Sequence, residues 1–280
     1  MTRRSVAEAT SGGAERPVGA EVGVRVPVEG CRASVTVWPD LESLAAATVD
    51  RFVEAATEAV RRCGAFRVAL AGGSTPHRAY ALLAALPPTA VPWARTHVFW
   101  GDERPVPADH PDSNYRMAAE ALLRRVPIPE AQIHRLRGEG ADLEAVAAEY
   151  AVEVADAFGL PTTGAPPRFD LILLGMGPEG HTASLFPDSP VLASRAWVAA
   201  PFVPALGMRR LTLTPWVINA AASVVFAVAG TNKAAALTTV LTGGGRSERP
   251  LPAQVIAPTA GRLEWLLDAE LARAAGLTLP

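Results

Sequence analysis

Residues 169–187 read FDLILLGMGPEGHTASLFP. The run Phe169-Asp170-Leu171-Ile172-Leu173-Leu174 is too short for an ordinary helix and rich in branched side chains, the composition of a buried central strand. That strand is expected to stop at Gly175. Gly175, Gly177 and Gly180 then allow positive φ and close backbone approach to a ligand, and His181 follows directly. A histidine at the carboxyl end of a buried strand sits where open α/β sheets bind ligands. The spacing from Gly175 to Gly180 also fits G-x-G-x-x-G. However, Pro178 removes a backbone donor where a pyrophosphate needs amides, and no acidic residue follows at the βαβ distance, so a nucleotide site is not expected. A glycine turn around a structural histidine is the competing reading of this stretch taken alone. Ser184 lacks a G-x-S-x-G elbow and is expected to cap or brace the next turn rather than act as a nucleophile.

The chain has 280 residues, 49% hydrophobic and 19% charged, an ordinary globular balance with room for a large core. Its formal net charge is −2 with both signs scattered. It therefore lacks the basic footprint that nucleic acid requires, and any anion has to be met by local groups. Cys31 and Cys63 have no C-x-x-C spacing and no nearby histidine, which argues against a disulfide scaffold or zinc site and favours a reducing cytoplasm. The histidines, His77, His97, His110, His134 and His181, show neither H-x-H nor H-E-x-x-H spacing, so no metal is expected. No apolar stretch approaches the ~20 residues of a membrane span. Arg3-Arg4 is not followed by the apolar segment of an export signal.

Residues 1–32 mix small, polar and charged types without a period and are expected to be a flexible extension, with a loose edge strand at about 22–28. One catalytic domain is expected over 33–280. Within it the patterns predict strands at 35–38, 66–71, 96–100, 133–136, 169–174, 196–200, 209–214 (one wet face), 223–229 and 254–256. Helices are predicted at about 40–62, 76–86, 115–125, 142–158, 215–222, 233–241 and 261–275, and residues 242–250 as a loop. This alternation implies an α/β fold, a three-layer arrangement with a mainly parallel sheet between helices, and leaves room for a smaller subdomain. Its polar loops should gather at one sheet edge. The loop Gly72-Gly73-Ser74-Thr75-Pro76 has the makings of a phosphate cradle: glycines for close approach, Ser74 or Thr75 to cap, and free amides at a helix start. The same residues would also serve a plain strand-to-helix turn. Asp102-Glu103-Arg104 forms a charged cluster at another strand end, and Asp112-Ser113-Asn114 caps the helix that follows. Lys233 sits at a helix amino terminus, where a cation opposes the helix dipole unless a bound anion compensates.

The pieces AGGSTP at 71–76, WGDERPV at 100–106, HPDSNYRMA at 110–118, LLGMGPEGHTASLFP at 173–187, RRLTLTPWVINAA at 209–221 and GTNK at 230–233 occur in this order over most of residues 33–275. Together they resemble the 6-phosphogluconolactonase family, in the glucosamine-6-phosphate deaminase/isomerase-like superfamily. The resemblance implies a NagB/RpiA/CoA transferase-like fold. It also implies cytoplasmic hydrolysis of 6-phospho-D-glucono-1,5-lactone, in the oxidative pentose phosphate pathway, without metal or organic cofactor. The expected partner is the small phosphosugar lactone alone, acted on by a monomer or weak homo-oligomer. His181 is then the base that takes a proton from water, since a neutral imidazole predominates near neutral pH. Gly72, Gly73, Ser74, Thr75, Arg210 and Lys233 hold the 6-phosphate, whose fixed distance from C1 delivers the carbonyl to His181. Arg104 steadies oxyanion charge or substrate hydroxyls, and Asp102 joins the catalytic set as the next candidate base, with Glu103. One departure is Glu179, where the family usually has Asp; the added methylene changes the reach and angle of the carboxylate that orients His181. The rival deaminases of this superfamily typically carry Glu five residues after the histidine, where this chain has Phe186, and D-E-Y where it has Asp102-Glu103-Arg104. A silent phosphosugar sensor is the remaining alternative, against which the retained His181 speaks.

Overall fold

The computed structural model describes residues 20–22, 32–162, 164–242 and 249–277. Its strands are β1 Ala20–Val22, β2 Arg32–Trp38, β3 Phe66–Leu70, β4 Thr96–Trp100, β5 Asp102–Glu103, β6 Leu171–Leu174, β7 Val198–Ala199, β8 Phe202–Val203, β9 Met208–Arg209, β10 Leu211–Leu213, β11 Ser223–Val228 and β12 Arg262–Asp268. The helices are α1 Leu41–Cys63, α2 Ser74–Ala84, α3 Asn114–Ala121, α4 Leu143–Phe158, α5 Pro215–Ile218, α6 Ala234–Thr242, α7 Pro252–Val255 and α8 Ala269–Ala274, joined by short 3-10 turns. Seven strands form one sheet in the order β1-β2-β12-β11-β6-β3-β4. Every neighbouring pair in it is parallel except β1 with β2.

The helices flank this sheet because their apolar faces match it. In α1, Leu44, Ala45, Val49, Phe52, Ala56 and Ala59 are buried at helical spacing. Asp40 caps the helix by accepting from the Ser43 amide at 2.8 Å, and Gly64 ends it with a left-handed φ of 77°. The β6 side chains Leu171, Ile172, Leu173 and Leu174 are all buried, as expected for a central parallel strand.

Several predicted elements differ. The helix expected over 261–275 is instead β12 followed by the short α8. Leu, Glu and Arg favour helix locally, but β12 fills the slot between β2 and β11 along its whole length. There Trp265 stacks on Phe226 at 3.9 Å, and Glu264 receives a bidentate contact from Arg51 of α1 at 2.7 and 2.8 Å. The strand expected at 254–256 is α7, with Pro252 in its first turn. The strand expected at 133–136 amounts to one bridge, in which the His134 amide donates to Val98 O at 2.8 Å. Residues 209–214 divide into β9 and β10; β10 is the central strand of a small antiparallel sheet with β5 and β7 and has no wet face, Leu211, Thr212 and Leu213 all being buried. The β8–β9 hairpin forms a separate two-stranded sheet. The expected extension shows Ala20–Val22 paired antiparallel with β2; residues 1–19, 23–31 and most of the 242–250 loop lie outside the described residues.

At β4 the chain holds a half-buried imidazole pair. His97 Nδ1 lies 3.1 Å from His134 Nε2, and His134 Nδ1 lies 3.2 Å from Glu153 Oε1. Burial, then His134 and Arg67, hold the His97 pKa below its ordinary value. The unfolded chain therefore binds a proton that the folded chain disfavours, so stability rises with pH across this window and is lost on acidification below about pH 6.5. Wild type should lose a few degrees of Tm between neutral and mildly acid pH. His97→Gln should flatten that slope, measured by calorimetry across the range.

Candidate active site

The loops after β3, β4, β6 and β11 leave the carboxyl ends of parallel strands, whereas Arg210 comes from between the antiparallel β9 and β10. After β3 the chain turns at Ala71, whose N–H and C=O are both held by the Tyr80 hydroxyl, at 3.0 and 2.9 Å. Gly72 has no room for a side chain, since a Cβ there would overlap the Asn114 amide. Gly73, at φ 102°, is the N-cap of α2 and supplies no side-chain cap. Ser74 and Thr75, expected to cap, instead occupy the first helical positions, because the helix starts two residues earlier than the proline suggested. The opening of α2 thus leaves its first amides for an anion.

After β4, Asp102 and Glu103 form β5. Glu103 is buried and accepts from the amides of Arg104, Asn114 and Tyr115 and from the Ser113 hydroxyl, at 2.7 to 3.0 Å. Burial pushes its pKa up, and the amide donors oppose that shift. A carboxylate tied to the start of α3 in this way serves structure, which removes Glu103 from the candidate bases. Asp102, also buried, accepts from Ser184 Oγ at 2.7 Å and from Asn114 Nδ2 at 3.2 Å. Ser184 therefore braces Asp102, and Asn114, read from sequence only as part of a cap, joins the phosphate loop to the acidic one. Arg104 donates to the Asp112 carbonyl.

After β6 the glycine turn wraps the histidine. The Gly177 amide donates to His181 O at 2.9 Å, and a Cβ on Gly177 would overlap the Nδ1–Cε1 edge of the imidazole. Gly180, at φ 81°, accepts from the Ala253 amide of α7 at 3.1 Å. Glu179 Oε1 reaches within 2.9 Å of His181 Nδ1. That contact is not an aligned hydrogen bond, for Nδ1 is buried without a hydrogen-bond partner. The reach of Glu179 is sufficient and its angle is not. The His181 ring stacks on Phe186, 4.4 Å between centroids and 20° between planes.

Two cations complete the arrangement. Burial, and then Arg104 nearby, push the Arg210 pKa down, while Asp102 partly offsets this. Burial likewise lowers Lys233, and Asp268 opposes it. Arg210, Lys233, Gly72, Gly73, Ser74, Thr75, Asp102, Arg104, Glu179 and His181 all line one cleft of about 360 Å³. Met176, Asn114 and Leu206, given no site role from sequence, line it too; the first two lie within quoted motifs but have uncharged side chains that signal no chemistry, and Leu206 lies in none. Among the described residues no group of three or more His, Cys, Asp or Glu converges as a metal site. No helix there is long and apolar enough to cross a membrane.

Desolvated cations, an uncapped helix start and an exposed imidazole edge suit a phosphorylated substrate attacked by water. The family model for glucosamine-6-phosphate isomerases/6-phosphogluconolactonase matches residues 39–265. The chain belongs to this family. It is 46% identical to 6-phosphogluconolactonase of Synechocystis sp., with 76% of this chain and 85% of that protein aligned. It is 41% identical to 6-phosphogluconolactonase of Homo sapiens, over 77% and 82% respectively. Among solved structures, 6-phosphogluconolactonase from Trypanosoma brucei superposes with a TM-score of 0.74 at 29% identity, covering 87% of this chain and 98% of that one.

Proposed function

We propose that the chain hydrolyses 6-phospho-D-glucono-1,5-lactone to 6-phospho-D-gluconate, in the oxidative pentose phosphate pathway of the cytoplasm. The observation that carries this reading is the single cleft joining His181 to the Arg210, Lys233 and Ser74-Thr75 cradle. The cradle holds the 6-phosphate through charge-assisted bonds and helix amides, which fixes the lactone carbonyl near His181. His181 takes a proton from water as its oxygen attacks C1. Arg104 steadies the resulting oxyanion. When the tetrahedral centre collapses, the C1–O5 bond breaks and the imidazolium returns its proton to O5. Glu179 balances the imidazolium charge, and the braced Asp102 supplies a fixed negative charge beside the arginines. The chain acts as a monomer or weak homo-oligomer, with residues 33–280 as the catalytic domain and 1–32 as an extension.

The test generates the lactone in situ from glucose 6-phosphate and follows its loss above the spontaneous rate, with glucosamine 6-phosphate in parallel. Accelerated lactone loss without ammonia release is expected. Ammonia from the amino sugar, with no lactone acceleration, would assign the chain to the deaminases of its family.

A further inference from the structure

We propose that Phe186 is a positioning residue for His181, holding the plane of the base where a hydrogen bond to Nδ1 would ordinarily do so. The proposal deepens the reading of His181 as the general base. A histidine base commonly has its second ring nitrogen bonded to a carboxylate or carbonyl, which fixes both tautomer and ring orientation. Here Glu179 lies 2.9 Å from Nδ1 without an aligned bond, and Nδ1 is buried with no other partner. Beside that unaligned Glu179 contact, packing sets the angle of the ring. Two contacts supply it: the Gly177 backbone closes on the Nδ1–Cε1 edge, and Phe186 covers a face at 4.4 Å and 20°. Phe186 is itself held in place. The turn before it is closed by the reciprocal Thr182–Leu185 bonds, at 3.3 and 2.9 Å, and Leu185 is fully buried.

The stack also acts on charge. When His181 takes a proton the ring becomes a cation lying against an aromatic face, an attraction the neutral ring largely lacks. Phe186 thus favours the protonated state that the attack step creates; it lines the cleft as well, but its ring offers no charged or hydrogen-bonding group to the phosphate or hydroxyls. Loss of the ring should accordingly fall on kcat and leave KM nearly unchanged.

Phe186→Leu keeps an apolar side chain of similar bulk and removes the aromatic face. It should lower kcat roughly ten- to a hundredfold, the scale on which small misplacement of a reacting group acts, with KM within about twofold. Phe186→Tyr should restore most of the rate. Independently of turnover, the Cε1–H resonance of His181, assigned by its absence in His181→Asn, should carry a ring-current shift that disappears in Phe186→Leu and returns in Phe186→Tyr. A well-folded Phe186→Leu with wild-type kcat would overturn the proposal, as would an unshifted resonance in wild type. If the protein fails to turn over the lactone at all, the resonance still reports whether Phe186 sets the ring. Failure of the functional reading and failure of the stack are thereby distinguished.

Discussion

His181→Asn is expected to lower kcat by roughly 10²–10⁴, the usual contribution of a positioned base. The folded protein and its affinity for 6-phosphogluconate should stay near those of wild type. The separation follows from the geometry. His181 sits at the end of the glycine turn with its ring edge facing the cleft, whereas the phosphate cradle is built from α2, Arg210 and Lys233. Asn keeps a polar side chain of similar reach to Nδ1, and the Gly177–His181 bond uses main-chain atoms only, so the turn should survive. The acid limb of the kcat/KM profile should vanish in this variant, because only a neutral imidazole can accept the proton. Glu179→Gln should cost less, since the carboxylate makes no aligned bond to Nδ1. Near-normal kcat in a well-folded Asn variant would move the base to Asp102, because the four donors on Glu103 leave it no free role.

Lys233→Ala and Arg210→Ala should each raise KM by one to two orders of magnitude with a smaller effect on kcat. Each removes a charge-assisted bond worth about 1.5–3 kcal/mol, at about 1.4 kcal/mol per decade. Unphosphorylated gluconolactone should be a poor substrate of wild type; equal efficiency with the two lactones would dismiss the cradle. Lys233 carries a second, opposite consequence. Its pKa is lowered by burial in the free protein, so the fold disfavours its charge. Between the lowered value and the ordinary lysine value near 10.4, the unfolded chain binds more protons and stability rises with pH. The folded state bears the cost of holding this half-buried ammonium away from water. Lys233→Met should therefore raise Tm at neutral pH while weakening substrate binding. A bound phosphate restores the charge, so 6-phosphogluconate binding in the alkaline window should take up protons in wild type and not in Lys233→Met. Calorimetry in buffers of different ionisation enthalpy measures this directly.

Much of the site was legible in the sequence because its parts are local. A glycine run after an apolar strand, a Ser-Thr-Pro helix start and a Lys at a helix amino terminus each have a short-range mechanism. Their convergence followed from one rule: parallel strands present their carboxyl ends on one edge. Roles that depend on distant partners were not legible. Asp102 and Glu103 are adjacent and chemically alike, yet one lines the cleft and is braced by Ser184 while the other takes the Ser113 hydroxyl and the first amides of α3, because successive residues of β5 point to opposite faces.

By itself, then, the sequence determined the alternating α/β architecture and marked the glycine turns and helix starts at the cleft, since periodicity, glycine placement and capping act over a few positions. Only the tertiary structure decided that residues 262–268 are a strand. Their helix-forming side chains yield to a slot open between β2 and β11, where backbone pairing and burial of Leu263, Trp265, Leu266 and Leu267 outweigh the local preference of a few tenths of a kcal/mol per residue. It also decided that Glu179 approaches His181 at the wrong angle while Phe186 lies flat against it. Both facts depend on how a turn closes in three dimensions, and the order of its residues does not state them.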